Sequence, residues 1–382
     1  MIKKIMAIVI SIISCGISQE EYTIINADLL IPLFKKAQSI ENSQKVKILH
    51  IGDSHIQGNF FVQATREILQ ERFGNGGMGF IFPYNLAKTN STANKFIKFS
   101  SNSVWQSCRV SMRSHCHKQI IIGISGHGLL TNDKNFEILL EVPEIYKFDK
   151  ITIFYPNEKS PFSIENDLRT TNLIGIIAEN QYWADFQSAA PMNSVRIFQN
   201  EDYSYDDYNL NGIYIENDKS GIIYNSIGIN GAKASDFLQN SIFFEQIPAV
   251  SPDLIILSFG TNEAFSEISP EIFILQIDTL ISKIKEKCGE IPVLVTTPPL
   301  TLVKKIETSF INEYSKNLTE GKSYAIWDLH ELTHKFSVKD DTNSLLTKDK
   351  VHYSKYGYEF IGGYFANALI KNYEYFLTTQ SK

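Results

Sequence analysis

The chain has 382 residues, 43% hydrophobic and 20% charged, which excludes a disordered or collagen-like polymer and leaves room for two domains. Its 36 Lys and Arg against 42 Asp and Glu give a net charge of −6, so a general DNA or RNA binder is excluded too. Aromatic residues at 12% are enough to fill a large core and line a cleft.

Residues 1–19 read as an export signal. Lys3 and Lys4 precede an apolar run over 5–13, and the small residues Ser14, Cys15, Gly16 and Ser18 follow. The run is too short to span a bilayer. Two processing outcomes fit. Ile12-Ile13-Ser14-Cys15 resembles a lipobox, whose Cys15 would be lipidated and tether the protein to a membrane. Cleavage near Ser18 would instead release a soluble periplasmic protein without Cys15. Either way the expected location is the periplasm or the cell envelope.

Short apolar runs bounded by Gly, Pro or polar residues predict buried parallel strands at 46–51, 222–227, 254–259, 293–297 and 324–329. Helical spacing appears at 60–73, 271–287, 309–318 and 356–376. Strand and helix in alternation predict an α/β doubly wound sheet with ligands at the carboxyl ends of its strands. Between the first two strands the pattern changes to short alternating runs at 120–124, 136–142, 151–155, 194–198 and 212–215. That pattern predicts an inserted antiparallel β-sandwich-like domain over 95–218, leaving 20–94 and 219–382 as the α/β body. Cys108 and Cys116 are close enough in sequence to bridge in an oxidising compartment, with Cys288 left alone. His115-Cys116-His117 is not read as a metal site, because neighbours on a strand face opposite ways.

The chemistry-bearing residues lie at strand ends. The first strand runs into Gly52-Asp53-Ser54-His55, where Ser54 meets the start of a helix and faces the ligand edge of the sheet. The competing structural reading is a helix-capping Ser54 with Asp53 as turn former. Near the C-terminus, Asp349 stands three residues before His352, so the carboxylate can hold one imidazole nitrogen while the other takes a serine proton. After the strand at 254–259 comes Gly260-Thr261-Asn262-Glu263, which offers the Asn262 amide to a developing oxyanion. The loop Gly228-Ile229-Asn230-Gly231-Ala232 offers the Gly231 N–H as a second donor.

Ser54, Gly231, Asn262 and the Asp349/His352 pair occur in the order of the four blocks of the SGNH (GDSL-type) hydrolases, which the chain resembles. The resemblance implies a flavodoxin-like three-layer α/β/α fold and a serine esterase without metal or cofactor. Ser54 would be nucleophile, His352 base and Asp349 its partner, with the oxyanion held by Ser54, Gly231 and Asn262. The Ile-Gly-Asp-Ser-His-Ile-Gln opening and the β-insert are similar to the peptidoglycan O-acetylesterase branch. Its implied partner is an O-acetylated polysaccharide or peptidoglycan, and no nucleic acid. Two positions depart from the commoner pattern: His55 stands in place of leucine and Glu263 in place of aspartate. The rival functions are an esterase acting on a lysophospholipid or acyl thioester, and a non-catalytic glycan-binding protein on the same fold.

Three other motifs are set aside. Gly74-Asn75-Gly76-Gly77-Met78-Gly79 matches a dinucleotide fingerprint but follows a helix, so a flexible loop near the cleft is expected there. His127, between Gly126 and Gly128, reads as a turn histidine. Trp105 and Trp183 could stack on sugars, with core packing the expected role of each.

Overall fold

The computed structural model describes residues 23–91, 96–166, 174–266, 268–303, 322–339 and 345–380. The export segment with Cys15 and the helix expected at 309–318 lie outside these residues. In chain order the fold starts with α1 (Ile31–Gln38), β1 (Lys45–Gly52), α2 (Ser54–Gln57) and α3 (Phe60–Phe73). Twelve strands follow: β2 (Gly79–Ile81), β3 (Lys98–Ser101), β4 (Gln106–Arg109), β5 (His127–Thr131), β6 (Glu137–Glu141), β7 (Phe148–Phe154), β8 (Phe162–Glu165), β9 (Ile174–Glu179), β10 (Trp183–Met192), β11 (Ser194–Gln199), β12 (Tyr208–Leu210) and β13 (Gly212–Glu216). Then come β14 (Gly221–Gly228), α4 (Ala234–Leu238), α5 (Ser241–Gln246), β15 (Leu254–Ser258), α6 (Thr261–Phe265), α7 (Pro270–Cys288), β16 (Val293–Thr296), β17 (Ala325–Trp327), α8 (Leu329–Lys339) and α9 (Lys355–Gln380).

Five strands form a parallel sheet in the order β14-β1-β15-β16-β17. Counted by appearance this is 2-1-3-4-5, the flavodoxin-like order, whose switch point falls between β1 and β15. The strands expected from the sequence are these five. Their side chains alternate between two cores. Val46, Ile48, Ile222, Tyr224, Leu254, Ile256 and Leu294 pack with α1, α3 and α9 through Phe34, Phe61, Leu69 and Phe365. Leu49, Ile51, Ile223, Ile255, Leu257 and Val295 face the other way, toward α4, α5 and α7 through Phe237, Phe243, Ile277 and Ile284. Because helices cover both faces, these strands are apolar throughout rather than alternating. Burying each such side chain stabilises the fold by about 1.5–3 kcal/mol.

One polar side chain sits in the middle of this sheet. His50 is fully buried, with Tyr224 Oη 2.8 Å from Nδ1 and Ser258 Oγ 2.6 Å from Nε2. Thr296 Oγ1 extends the line by donating to Ser258 Oγ at 2.8 Å, so β14, β1, β15 and β16 are cross-linked by one buried row of hydrogen bonds.

The strands between α3 and β14 form antiparallel sheets: β2-β13-β7-β10-β9, β3-β6-β11-β8 and β12-β5-β4. Their apolar residues, such as Phe136, Ile151, Phe154 and Ile197, share one core with Leu49 and Ile51 of the parallel sheet. Two expectations are corrected here. The glycine run ends as the first residue of β2, because Gly79 has φ +80° and a side chain there would strike Asn225, whose Oδ1 accepts the Phe80 N–H. The antiparallel strands therefore begin upstream of residue 95. Residues 120–124 form no strand, since side chains take their backbone groups instead. Asn209 accepts from Ile121 N–H, Asn211 donates to Ile121 O, and Gln246 accepts from Ile124 N–H.

Cys108 and Cys116 are joined in a disulfide and Cys288 is free, half-buried. His127 opens β5 and stacks on Phe82 with ring centroids 4.9 Å apart. Trp105 is buried, its indole N–H donating to Ser101. In β17 the strand stops at Trp327, two residues earlier than expected, because Asp328 Oδ1 accepts the Glu331 N–H and starts α8.

Candidate active site

β1 ends where no side chain fits: a Cβ on Gly52 would meet Ile56 and the Ser258 carbonyl. The chain turns at once into α2, capped by Asp53, whose Oδ1 accepts the His55 N–H at 2.9 Å. Asp53 is thus the cap and Ser54 is left with its hydroxyl for other work. Its Oγ lies 2.8 Å from His352 Nε2. On the other side of that ring, Nδ1 lies 2.7 Å from Asp349 Oδ2. Ser54, His352 and Asp349, read from two separate motifs, are therefore hydrogen-bonded in series. With the His352 proton on Nδ1, Nε2 accepts from the serine hydroxyl.

The 345–354 loop is built to hold this pair. Asp349 Oδ1 accepts from the Thr347 hydroxyl and from the N–H groups of Val351 and His352. Lys350, at φ +59°, makes the tight turn between carboxylate and imidazole. Thr347 N–H closes the loop onto His352 O, and Ser354 N–H onto Leu345 O. Partial burial pushes the Asp349 carboxyl up, but the His352 ring and these donors outweigh it and hold the group well below the ordinary carboxylate range. It stays ionised, as a partner for an imidazolium must.

Two further loops meet Ser54. Ile229 N–H donates to Gly52 O, which seats the 228–232 loop against the β1 turn. Gly231, at φ +75°, keeps its N–H free of any partner among the described residues, and so does the Ser54 N–H. Asn262, on α6, donates through Nδ2 to Ala232 O at 2.9 Å and sits 3.4 Å from Asp53 Oδ2. One amide hydrogen is thus committed to the Gly231 loop, while the other makes only a long contact.

Several residues that motif reading passed over hold this arrangement. Gln57 accepts the Asn230 N–H at 2.6 Å and donates to Asn90 O and Thr89. Glu263, fully buried, accepts the Ala234 N–H through Oε1 at 2.8 Å and the Gly260 N–H through Oε2 at 3.0 Å. It ties the loop of Asn262 to the loop of Gly231. His55 packs its ring 5.3 Å from that of His352 and is held by Tyr358 Oη at 2.8 Å and Thr261 Oγ1 at 3.3 Å. The signal for His55 and Glu263 was their departure from the commoner block residues. Gln57 carried none.

Burial sets the charge of these groups. It drives His50 and His55 down to about 3 and His127 to about 4. Burial pushes Asp53 up to about 8, and Glu263 to about 7 against its hydrogen bonds from Ala234 and Gly260. The three histidines have folded values below 6.5, so their share of stability is full above pH 6.5 and is lost as pH falls toward 3–4. The two carboxyls have raised values, so theirs is full below about pH 4 and is lost as pH rises through 7–8. Above pH 6.5 the raised Asp53 and Glu263 carboxyls lose their share, so Tm is expected to fall from pH 7 to 8. A Tm still rising from pH 7 to 8 in a scanning calorimeter would contradict this assignment.

Comparison with known proteins bears on the fold and on the type of domain. Residues 201–360 match the GDSL-like Lipase/Acylhydrolase family, a stretch holding Gly231, Asn262, Asp349 and His352, with Ser54 upstream of it. No curated protein sequence matches the chain. In fold it is similar to a solved peptidoglycan O-acetylesterase, with TM-score 0.72 and 20% identity over 90% of this chain and 96% of that one. A lipase/acylhydrolase from Enterococcus faecalis matches 39% of this chain and 76% of its own at TM-score 0.33 and 21% identity. A carbohydrate esterase family 3 protein from Talaromyces cellulolyticus matches 40% and 72% at TM-score 0.32 and 18% identity. The chain carries a GDSL-like lipase/acylhydrolase domain, that of a carboxylic-ester hydrolase.

Proposed function

We propose that the protein is an exported serine esterase that removes O-acetyl groups from a carbohydrate of the cell envelope, peptidoglycan being the substrate that fits best. The observation that carries the chemistry is the unbroken series Ser54 Oγ, His352 Nε2, His352 Nδ1, Asp349 Oδ2, at 2.8 and 2.7 Å. The likeness to a peptidoglycan O-acetylesterase along nearly the whole chain, antiparallel region included, supports the substrate class. The Lys3-Lys4 and apolar segment supports export, with Cys15 as the site of a membrane tether if it is lipidated.

In this reading His352 takes the Ser54 proton as Oγ attacks the acetyl carbonyl. The oxyanion is held by the Ser54 and Gly231 N–H groups and by the second Asn262 amide hydrogen, which leaves its long contact with Asp53. His352 Nε2–H then protonates the departing sugar oxygen, leaving acetyl-Ser54. Water, deprotonated by the same nitrogen, attacks the acetyl carbonyl, and Nε2–H returns that proton to Ser54 Oγ as its bond to the acetyl carbon breaks and acetate leaves. The ionised Asp349 stabilises the imidazolium at both stages.

Acetate release from 4-nitrophenyl acetate and from O-acetylated peptidoglycan tests the proposal. Release from both is expected. Release from the aryl ester alone would retire peptidoglycan, and release from neither would sink the esterase reading.

A further inference from the structure

The loop that presents Gly231 is held from outside the α/β body. Just after β4, a turn at Val110–His115 is closed by the Cys108–Cys116 disulfide. Its start is fixed by Val110 N–H donating to Gly126 O, and its far side by the Arg113 guanidinium donating to Gln239 O. Between these anchors, Ser111 Oγ donates to the Asn230 carbonyl oxygen at 2.8 Å. The space beside Gly231 is also bounded by Ser111, whose Cβ and Oγ are the nearest atoms to where a side chain would begin.

That carbonyl belongs to the same peptide unit as the Gly231 N–H. The unit is planar and trans, so its C=O and N–H point in opposite directions, and fixing one fixes the other. Gln57 already fixes the preceding peptide through the Asn230 N–H. A peptide ahead of a glycine at φ +75° rotates with little steric resistance, because glycine accepts both signs of φ. Only the Ser111 hydroxyl holds the Asn230 oxygen among the described residues.

We propose that Ser111 is a positioning residue for ester hydrolysis: it locks the Asn230–Gly231 peptide so that the Gly231 N–H stays turned toward the oxyanion. This inference rests on the esterase reading above. It makes the antiparallel region part of the catalytic apparatus, since the hydroxyl that sets an oxyanion donor comes from a turn stapled within it. The hydroxyl spends its hydrogen on the Asn230 carbonyl, so its loss should appear in the chemical step.

The test measures kcat and KM of the full chain on 4-nitrophenyl acetate for wild type, Ser54→Ala, Ser111→Ala and Ser111→Thr, with Tm and phenylboronic acid inhibition. Losing an oxyanion donor outright costs about 10²–10³ in rate, so misaligning one should cost about tenfold. Ser111→Ala is expected to lower kcat about tenfold and weaken the tetrahedral boronate adduct by the same factor, with KM and Tm unchanged. Ser111→Thr, which keeps the hydroxyl, should restore most of the rate. If Ser111→Ala does not fold, Ser111→Cys carries the same expectation, its thiol being a weak donor. A Ser111→Ala kcat within twofold of an active wild type would overturn the proposal. So would a lower Tm with KM rising and boronate affinity intact, which marks a merely structural role. A Ser54→Ala enzyme as fast as wild type would bring down the esterase reading, and the inference with it.

Discussion

Replacing Ser54 or His352 by alanine should lower kcat on an aryl acetate by about 10⁴–10⁶, with Tm held within a few degrees. The two effects should be alike because the residues act as one unit. Without Oγ there is nothing for His352 to deprotonate, and without the imidazole the hydroxyl 2.8 Å away remains a weak nucleophile. Neither side chain belongs to a core: Ser54 is half-buried and the His352 side chain is 38% exposed, so little packing is lost. Asp349→Asn should be milder, since it keeps the loop while removing the charge that steadies an imidazolium. Steady-state kinetics with a thermal melt decide the matter. An alanine variant that keeps even 1% of the wild-type rate would show that the wrong side chains have been named.

Glu263→Gln should produce the second largest effect, and on stability rather than chemistry alone. The glutamate is fully buried and each of its oxygens accepts a backbone N–H, from Ala234 at one end and Gly260 at the other. Glutamine has the same shape but only one acceptor, so its NH₂ must face one of those N–H groups. Leaving a buried donor unpaired costs about 1–3 kcal/mol, and the opposed amide adds to it. Denaturant unfolding should therefore show a loss of about 2–4 kcal/mol. Because the two loops carry Gly231 and Asn262, kcat should fall with it while Ser54 remains in place. An unchanged unfolding midpoint would mean that the bridge contributes nothing.

What could be read from the chain divides along the range of the interaction. The five parallel strands were legible because burial on both faces leaves an uninterrupted apolar run, as in Leu254–Ser258. The triad was legible because Asp349 and His352 are three residues apart and Ser54 follows a strand, features that survive in one dimension. Residues 120–124 misled for the opposite reason. They are apolar like a strand, but Asn209, Asn211 and Gln246, all more than eighty residues downstream, satisfy their backbone. Ser111 was invisible as a determinant for the same reason, and so were the distant partners of Glu263 and Gln57, although both residues stand in the motifs read from the chain. Each acts through a single hydrogen bond or pair of bonds to a loop that only the fold brings near. The upstream start of the antiparallel strands was hidden in a glycine-rich stretch, where close approach to Asn225 rather than flexibility dictates the residue.

The register of β1 has a consequence for how the protein comes into being. Lys45 pairs with Gly221 and Ile48 with Leu254, so both neighbours of the strand that leads into Ser54 are encoded beyond the whole antiparallel region. During synthesis at about 5–20 residues per second, β1 must wait some seconds to tens of seconds for either partner to exist. The entropic cost of closing so long a segment grows only slowly with length, so the delay is one of order and not of final stability. Among the described residues β1 is the ladder partner of both β14 and β15, so the parallel sheet is continuous only once residues 45–52 have met strands encoded far downstream. The Gly231 loop is seated on Gly52 and Gln57, so it too takes its final position only when that early segment is enclosed. The Ser54 hydroxyl and the His352 imidazole thus come together only when the oldest part of the polypeptide is joined to the youngest.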